Sequence, residues 1–230
     1  MLPLPQVPAV SIPILNDSHQ FPVRRVYCVG RNYADHAIEM GDTGREPPFF
    51  FLKPTDALFA VPADQTIDWP YPVATSDCHH EVELVVALAC GGAHLTPDQA
   101  EACIWGYALG LDMTRRDRQA EMKKSGKPWE IGKAFDQSAP IGPLVPVGDR
   151  GAWAQGAISL SVNGRLRQDG DLAQLIWPLK EMLAELSKAW TLRAGDLIFT
   201  GTPAGVGPVQ RGDLVEAQFE GLPGLSLRVV

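Results

Sequence analysis

A chain of 230 residues that is 45% hydrophobic and 20% charged can bury a full core as one domain of ordinary size. Its formal charge of −7, from 20 basic and 27 acidic side chains, has the wrong sign for a polyanion-binding surface and argues against nucleic acid as a partner. The longest apolar run, Leu84 to Cys90, falls far short of the roughly 20 residues that a membrane helix needs, so no membrane partner is expected.

The N-terminal stretch MLPLPQVPAVSIPIL carries four prolines and no basic leader, which is not the layout of a signal peptide. Residues 1–20 are expected to form an arm lying on the body, and residues 21–230 a single catalytic domain. Val26–Val29 reads as a strand. Asn32 can then cap a helix over Tyr33–Met40 that Gly41 stops. On such a helix His36 and Glu39 are neighbours, and a carboxylate beside an imidazole orients it and raises its basicity, as a general base requires. Spacing alone equally fits an exposed i, i+3 ion pair worth a few tenths of a kcal/mol, and that is the plainer reading. Phe49–Leu52 is the next strand.

The stretch HHEVELVVALA, His79 to Ala89, contains a strand over Val82–Leu88. Residues two apart share a face of a strand, which sets the carboxylates of Glu81 and Glu83 side by side. Two like charges that close favour protonation of one or capture of a hard divalent cation by oxygen ligands. Taken alone, the pattern more often marks an exposed edge strand with two solvated glutamates. Thr96-Pro97-Asp98-Gln99 is a capping box with proline at the first helical position, so a helix starts there and runs towards Trp105. Asp112, after the apolar Tyr107–Leu111, offers a third carboxylate. From Thr114 to Lys133 seven basic residues stand against three acidic ones, a local charge of 7 − 3 = +4 within an acidic chain. If Thr114–Ser125 is helical, Arg116, Gln119 and Lys123 form one polar stripe. Directly after Asp112, that stripe points to a pocket where a metal and cationic side chains receive a small carboxylated substrate.

Further strands are expected at Ile158–Val162, Leu197–Thr200 and Leu214–Phe219, bounded by Gly, Pro or Asp. Leu179, Met182, Leu183, Leu186 and Trp190 recur at helical spacing after Pro178. The segment GTPAGVGP, Gly201 to Pro208, matches no phosphate-binding glycine motif and reads as a turn between strands. Strand–helix alternation is absent, so a mixed sheet, roll or sandwich is preferred to a doubly wound parallel sheet. Cys28, Cys78, Cys90 and Cys103 lie far apart without a CxxC, so they are expected to be buried free thiols of a cytoplasmic protein.

Seven stretches together resemble the fumarylacetoacetate hydrolase family in its short single-domain form. They are YCVGRNYADHAIEMG, FFFLKPTDAL, HHEVELVVAL, GLDMTRRDRQ, KPWEIGKAFD, VNGRLRQDG and GDLIFTGTPAGVG. They occur in family order and span nearly everything from Arg24 to the C-terminus. The resemblance implies a mixed α+β, β-rich fold, a mixed-sheet β-roll with peripheral short helices. It also implies a homodimer and one Mg2+ or Mn2+ per chain, held by Glu81, Glu83 and Asp112. By the same resemblance His36 and Glu39 match the water-activating dyad of hydrolytic members. Arg31, Gln119 and Lys133 match positions around the substrate, and Thr202 the position that receives its carboxylate. Arg116 joins the substrate-binding set through the polar stripe.

The implied reaction is metal-dependent hydrolysis of a carbon–carbon bond in a β-diketo acid, with fumarylpyruvate as the expected substrate and fumarate and pyruvate as products. Oxaloacetate decarboxylation and hydroxymuconate-type isomerisation or decarboxylation use the same scaffold. A non-catalytic relative would carry a broken metal triad, and here the three carboxylates are all present.

Overall fold

The computed structural model describes residues 8–33, 46–148 and 151–230. The architecture is the expected mixed, strand-rich roll, with short helices at its periphery. A curled sheet runs in the order Phe49–Lys53, Arg25–Gly30, Asp196–Phe199, Val82–Leu88, Ile104–Leu111, Ala139–Ile141 and Leu58–Ala60, with Val145–Pro146 also paired to Ile104–Leu111. Asp196–Phe199 lies parallel to Arg25–Gly30 and antiparallel to Val82–Leu88, which makes the sheet mixed. A second sheet orders Arg165–Asp171, Ala157–Val162, Leu214–Phe219, Leu225–Val229 and Thr66–Trp69.

The strand Val82–Leu88 is central and buried along its whole length. Val82, Leu84, Val86 and Leu88 face the larger core, while Val85 and Ala87 face a smaller one with Val26, Cys28 and Phe199. A strand covered on both faces reads as a continuous apolar run, which is why this stretch interrupts its hydrophobicity only at Glu83. Glu83 and Glu81 share the face of Val85 and Ala87, at the end of the smaller core. The edge-strand alternative for the two glutamates is thereby excluded. The opposite end of that core is closed by a hairpin of Ser11–Pro13 and Gln20–Pro22, which contributes Ile12 and Phe21.

Three expectations need correction in detail. The capping box at Thr96 forms, with Thr96 Oγ1 accepting from the Gln99 N–H and Gln99 Oε1 from the Thr96 N–H. Its helix, however, is the single turn Pro97–Glu101, because the chain must re-enter the sheet at Ile104. The basic segment becomes helical only from Arg116, since Thr114 and Arg115 pair with His79 and Cys78 as a short strand. The helix expected to follow Asn32 lies, beyond Tyr33, outside the described residues. Asn32 itself is fully buried, accepts from the Trp177 N–H at 2.8 Å and donates to the Thr200 carbonyl at 2.9 Å, satisfying backbone groups that would otherwise be orphaned. Cys90 is exposed beyond the end of its strand, whereas Cys28, Cys78 and Cys103 are buried, and all four are free thiols. The amphipathic helix is Leu179–Ala189, with Trp190 just past its end against Tyr27 and Phe50. Among the described residues no helix is long and apolar enough to cross a membrane.

Candidate active site

Strand register brings the acidic residues together. Glu83 stands opposite Gly110 and Val82 opposite Leu111 across the antiparallel pair, and the Asp112 N–H donates to the Glu81 carbonyl at 2.8 Å. One carboxylate oxygen from each of Glu81, Glu83 and Asp112 lies within 4.8 Å of the other two, and all three residues are buried. Burial, then the charges of Asp112 and Glu81, push the Glu83 carboxyl well above its ordinary range, against a hydrogen bond of 2.8 Å from the Gly201 N–H. The donor set consists of carboxylate oxygens alone, which suits a hard divalent cation and not a thiolate- or imidazole-seeking metal. Asp112 Oδ1 adds to the fit: it is buried and accepts no hydrogen bond, although Lys53 Nζ lies 2.9 Å away without hydrogen-bond alignment.

Lys133, at the end of the short helix Glu130–Lys133, points into this group. Its ammonium donates to Asp112 Oδ2 at 2.6 Å, Glu81 Oε2 at 2.8 Å and Thr114 Oγ1 at 2.7 Å. Burial opposes its charge, but Asp112 and Glu81 outweigh burial and raise its pKa, so the side chain is an ammonium at neutral pH. Gly132 makes the placement possible. A Cβ there would meet the Gln119 backbone nitrogen at 2.9 Å, so only glycine lets this turn press against the Arg116–Ser125 helix.

A second lysine was not singled out from the sequence. Lys53 closes the strand Phe49–Lys53 and is buried, with Nζ donating to Ser138 Oγ at 3.0 Å and to the carbonyl of Lys133. It therefore holds the Lys133 backbone and faces Asp112 at the same time. The available signal was a lysine ending the apolar run FFFL before Pro54, a position where a charge is buried only if it has partners.

The polar stripe of the basic helix is partly assembled. Arg116 donates to Glu81 Oε1 at 2.5 Å and to Gln119 Oε1 at 2.7 Å, while Lys123 lies over the Trp129 ring, 5.6 Å from its centroid. Arg116 also donates to His79 Nδ1 at 3.3 Å, and His79 Nε2 meets Asp77 Oδ1 at 2.9 Å. Burial and the Arg116 charge lower the His79 pKa, so its neutral ring can accept from Arg116 and donate to Asp77. Arg116, expected beside the substrate, is thus turned onto a candidate metal ligand. Gln119 is buried beside it.

Arg31 and Thr202 line the same cavity as the three carboxylates and Lys133. Arg31 adopts a positive φ of 57° after Gly30, and its guanidinium lies 5.9 Å from the Phe49 ring centroid. Thr202 sits in the turn that follows Asp196–Phe199, so GTPAGVGP is a turn between strands, as expected, and also one wall of the site. That turn depends on Gly201, whose φ is +100° and whose added Cβ would meet Asn32 Cβ at 2.7 Å. Thr202 Oγ1 accepts from Gln168 Nε2 at 2.7 Å. Gln168 was also missed, although it lies within VNGRLRQDG; its only sequence signal was a polar residue on a strand whose partners are remote. His36 and Glu39 lie outside the described residues.

Comparisons with known proteins identify the family. Residues 25–230 match the family model described as fumarylacetoacetate (FAA) hydrolase C-terminal. The chain is 54% identical to the fumarylpyruvate hydrolase from Pseudomonas aeruginosa, solved in complex with Mn2+ and pyruvate; the two superpose with a TM-score of 0.96 over 100% of this chain and 99% of that one. It is 42% identical to the fumarylpyruvate hydrolase of Ralstonia sp. over 189 residues, 82% of this chain and 95% of the relative. It is also 42% identical to the oxaloacetate tautomerase YcgM of Escherichia coli K12 over 217 residues, 91% of this chain and 94% of the relative.

Proposed function

The chain belongs to the fumarylacetoacetate hydrolase family and is a hydrolase of carbon–carbon bonds; on that premise we propose that its substrate is an acylpyruvate, fumarylpyruvate first, cleaved to fumarate and pyruvate. The observation that carries this reading is the buried group of Glu81, Glu83 and Asp112 with the Lys133 ammonium donating into it. Among the described cavity residues, Arg31, Arg116 and Lys133 oppose three carboxylates, 3 − 3 = 0, so a bound divalent cation would make the site net positive. Such a site favours an anionic oxo-acid over a neutral ketone.

Glu81, Glu83 and Asp112 would hold one Mg2+ or Mn2+. That ion supplies a Lewis acid for the 2-oxo acid head of the substrate. Thr202 and Arg31 receive the carboxylate. His36, oriented by Glu39, takes a proton from the water that attacks the distal acyl carbonyl. Lys133 and Gln119 stabilise the charge that develops on oxygen as the carbon becomes tetrahedral. Breaking the bond between that carbon and the pyruvyl methylene leaves the hydroxyl on the acyl fragment and a proton on pyruvate, so one water is consumed. Arg116 and Lys53 hold Glu81 and Asp112 in place. The protein is taken to be a cytoplasmic homodimer without nucleic-acid or membrane partners.

A second reading rests on the similarity to an oxaloacetate tautomerase. Enol–keto transfer, like decarboxylation of oxaloacetate, needs the oxo-acid head but not an attacking water. Purified protein loaded with Mn2+ should be assayed against fumarylpyruvate, simple acylpyruvates and oxaloacetate. Preferred hydrolysis of fumarylpyruvate is expected; turnover confined to oxaloacetate would transfer the function to the second reading.

Lys133→Met keeps the length of the side chain and removes its charge. Loss of one oxyanion donor typically lowers kcat about 10²- to 10³-fold, and a loss of that order is expected here in Mn2+-loaded protein with little change in melting temperature. Near-normal turnover would remove Lys133 from the chemistry.

A further inference from the structure

We propose that Gln168 is a positioning residue that fixes the polarity of Thr202, making its hydroxyl a dedicated donor to the carboxylate of the bound oxo-acid. The inference rests on the acylpyruvate reading above and concerns how that ligand is selected.

The orientation of the Gln168 amide is settled by backbone partners that have only one possible role. The Val82 N–H can only donate, and it reaches Gln168 Oε1 at 3.1 Å. The Pro203 carbonyl can only accept, and it lies 2.9 Å from Gln168 Nε2. Oxygen and nitrogen of the amide are thereby distinguished by the chemistry of their partners. His80 Nδ1, 2.9 Å from the same Oε1, must then be the protonated ring nitrogen. The remaining contact, 2.7 Å from Nε2 to Thr202 Oγ1, is a donation to the threonine.

A hydroxyl has one proton to give. With an N–H already donating to its oxygen, the Thr202 hydroxyl must place that proton elsewhere, and among the described residues it finds no acceptor. Thr202 is 3% exposed and lines the cavity that Glu83 and Arg31 also line. A carboxylate accepts and never donates, so it meets this hydroxyl in the one polarity that Gln168 leaves open. An oxygen that already accepts a hydrogen bond also donates more strongly. Because the Gln168 side chain is fully buried and all of its hydrogen-bonding groups are engaged, the amide cannot turn over to offer its oxygen instead.

The test is a double-mutant cycle on Mn2+-loaded protein with Thr202→Val, Gln168→Met and their combination. Gln168→Glu serves as an isosteric second variant that keeps an acceptor for Val82 and removes the N–H donors if Gln168→Met folds poorly by its thermal melt. Dissociation constants for pyruvate are measured by calorimetry alongside KM and kcat. Each single change should weaken pyruvate and raise KM by roughly ten- to a hundredfold, the size of a hydrogen bond to a charged group, with kcat much less affected. In the Thr202→Val background the Gln168 change should weaken pyruvate by less than about twofold, since coupled residues are not additive. Additive losses, or unchanged pyruvate affinity in the Gln168 variants, would overturn the inference and leave Gln168 a residue of the core. Wild-type protein that neither binds pyruvate nor turns over any oxo-acid would instead overturn the function reading, and the ligand given to Thr202 would fall with it.

Discussion

Glu83→Gln is expected to abolish tight Mn2+ or Mg2+ binding and to lower turnover by more than about 10³-fold, beyond the loss from a single oxyanion donor. The substitution preserves side-chain volume and leaves an amide oxygen to accept the Gly201 N–H that Glu83 Oε2 now accepts at 2.8 Å. What it removes is one of three negative charges in a buried oxygen cluster, and hard divalent cations are held by such charges. The metal-free variant should be at least as stable as metal-free wild type, because a crowded like-charge contact is relieved. Calorimetric titration with Mn2+ and thermal melts in chelator separate the two effects. Wild-type Mn2+ affinity in the variant, or full activity of wild type after exhaustive chelation, would contradict the metal assignment.

His36→Ala and Glu39→Gln should cut acylpyruvate hydrolysis by about 10²- to 10⁴-fold, the usual contribution of a positioned general base. They should spare much of any oxaloacetate decarboxylation or tautomerisation. The reason is chemical: an attacking water must lose a proton, whereas decarboxylation and enol–keto transfer proceed at the oxo-acid head. His36 and Glu39 enter this argument through the family motif RNYADHAIEMG alone. Both reactions would be measured on the same purified variants with the same metal. Equal losses in the two reactions would assign the dyad to binding or closure; undiminished hydrolysis in either variant would remove it from the mechanism.

Local pattern was sufficient for much of the site. Alternation on a strand put Glu81 and Glu83 on one face, and a sign reversal in the charge marked Thr114 to Lys133. Motifs in order from Arg24 onwards identified the family and through it the mixed roll. Helical periodicity located Leu179–Ala189 to within one residue of its observed end. All of these depend on neighbours close in sequence, whose geometry is nearly the same in any fold.

Tertiary structure decided where those residues lie and what they touch. Whether the ExE pair lay on a solvated edge or in the core depended on Asp196–Phe199 and Ile104–Leu111 flanking it, strands whose pairing no local rule specifies. Lys53 reaches Met113, Lys133 and Ser138 from 60 to 85 positions away, and Gln168 reaches Val82 and Thr202 from 86 and 34. A lone lysine or glutamine in sequence is indistinguishable from a solvated one until the fold supplies its partners. Asn32 is a further case: its amide satisfies backbone groups of Trp177 and Thr200, 145 and 168 positions away, which no local pattern announces. Sequence therefore determined which chemistry the chain carries, and long-range burial determined which side chains hold it in place.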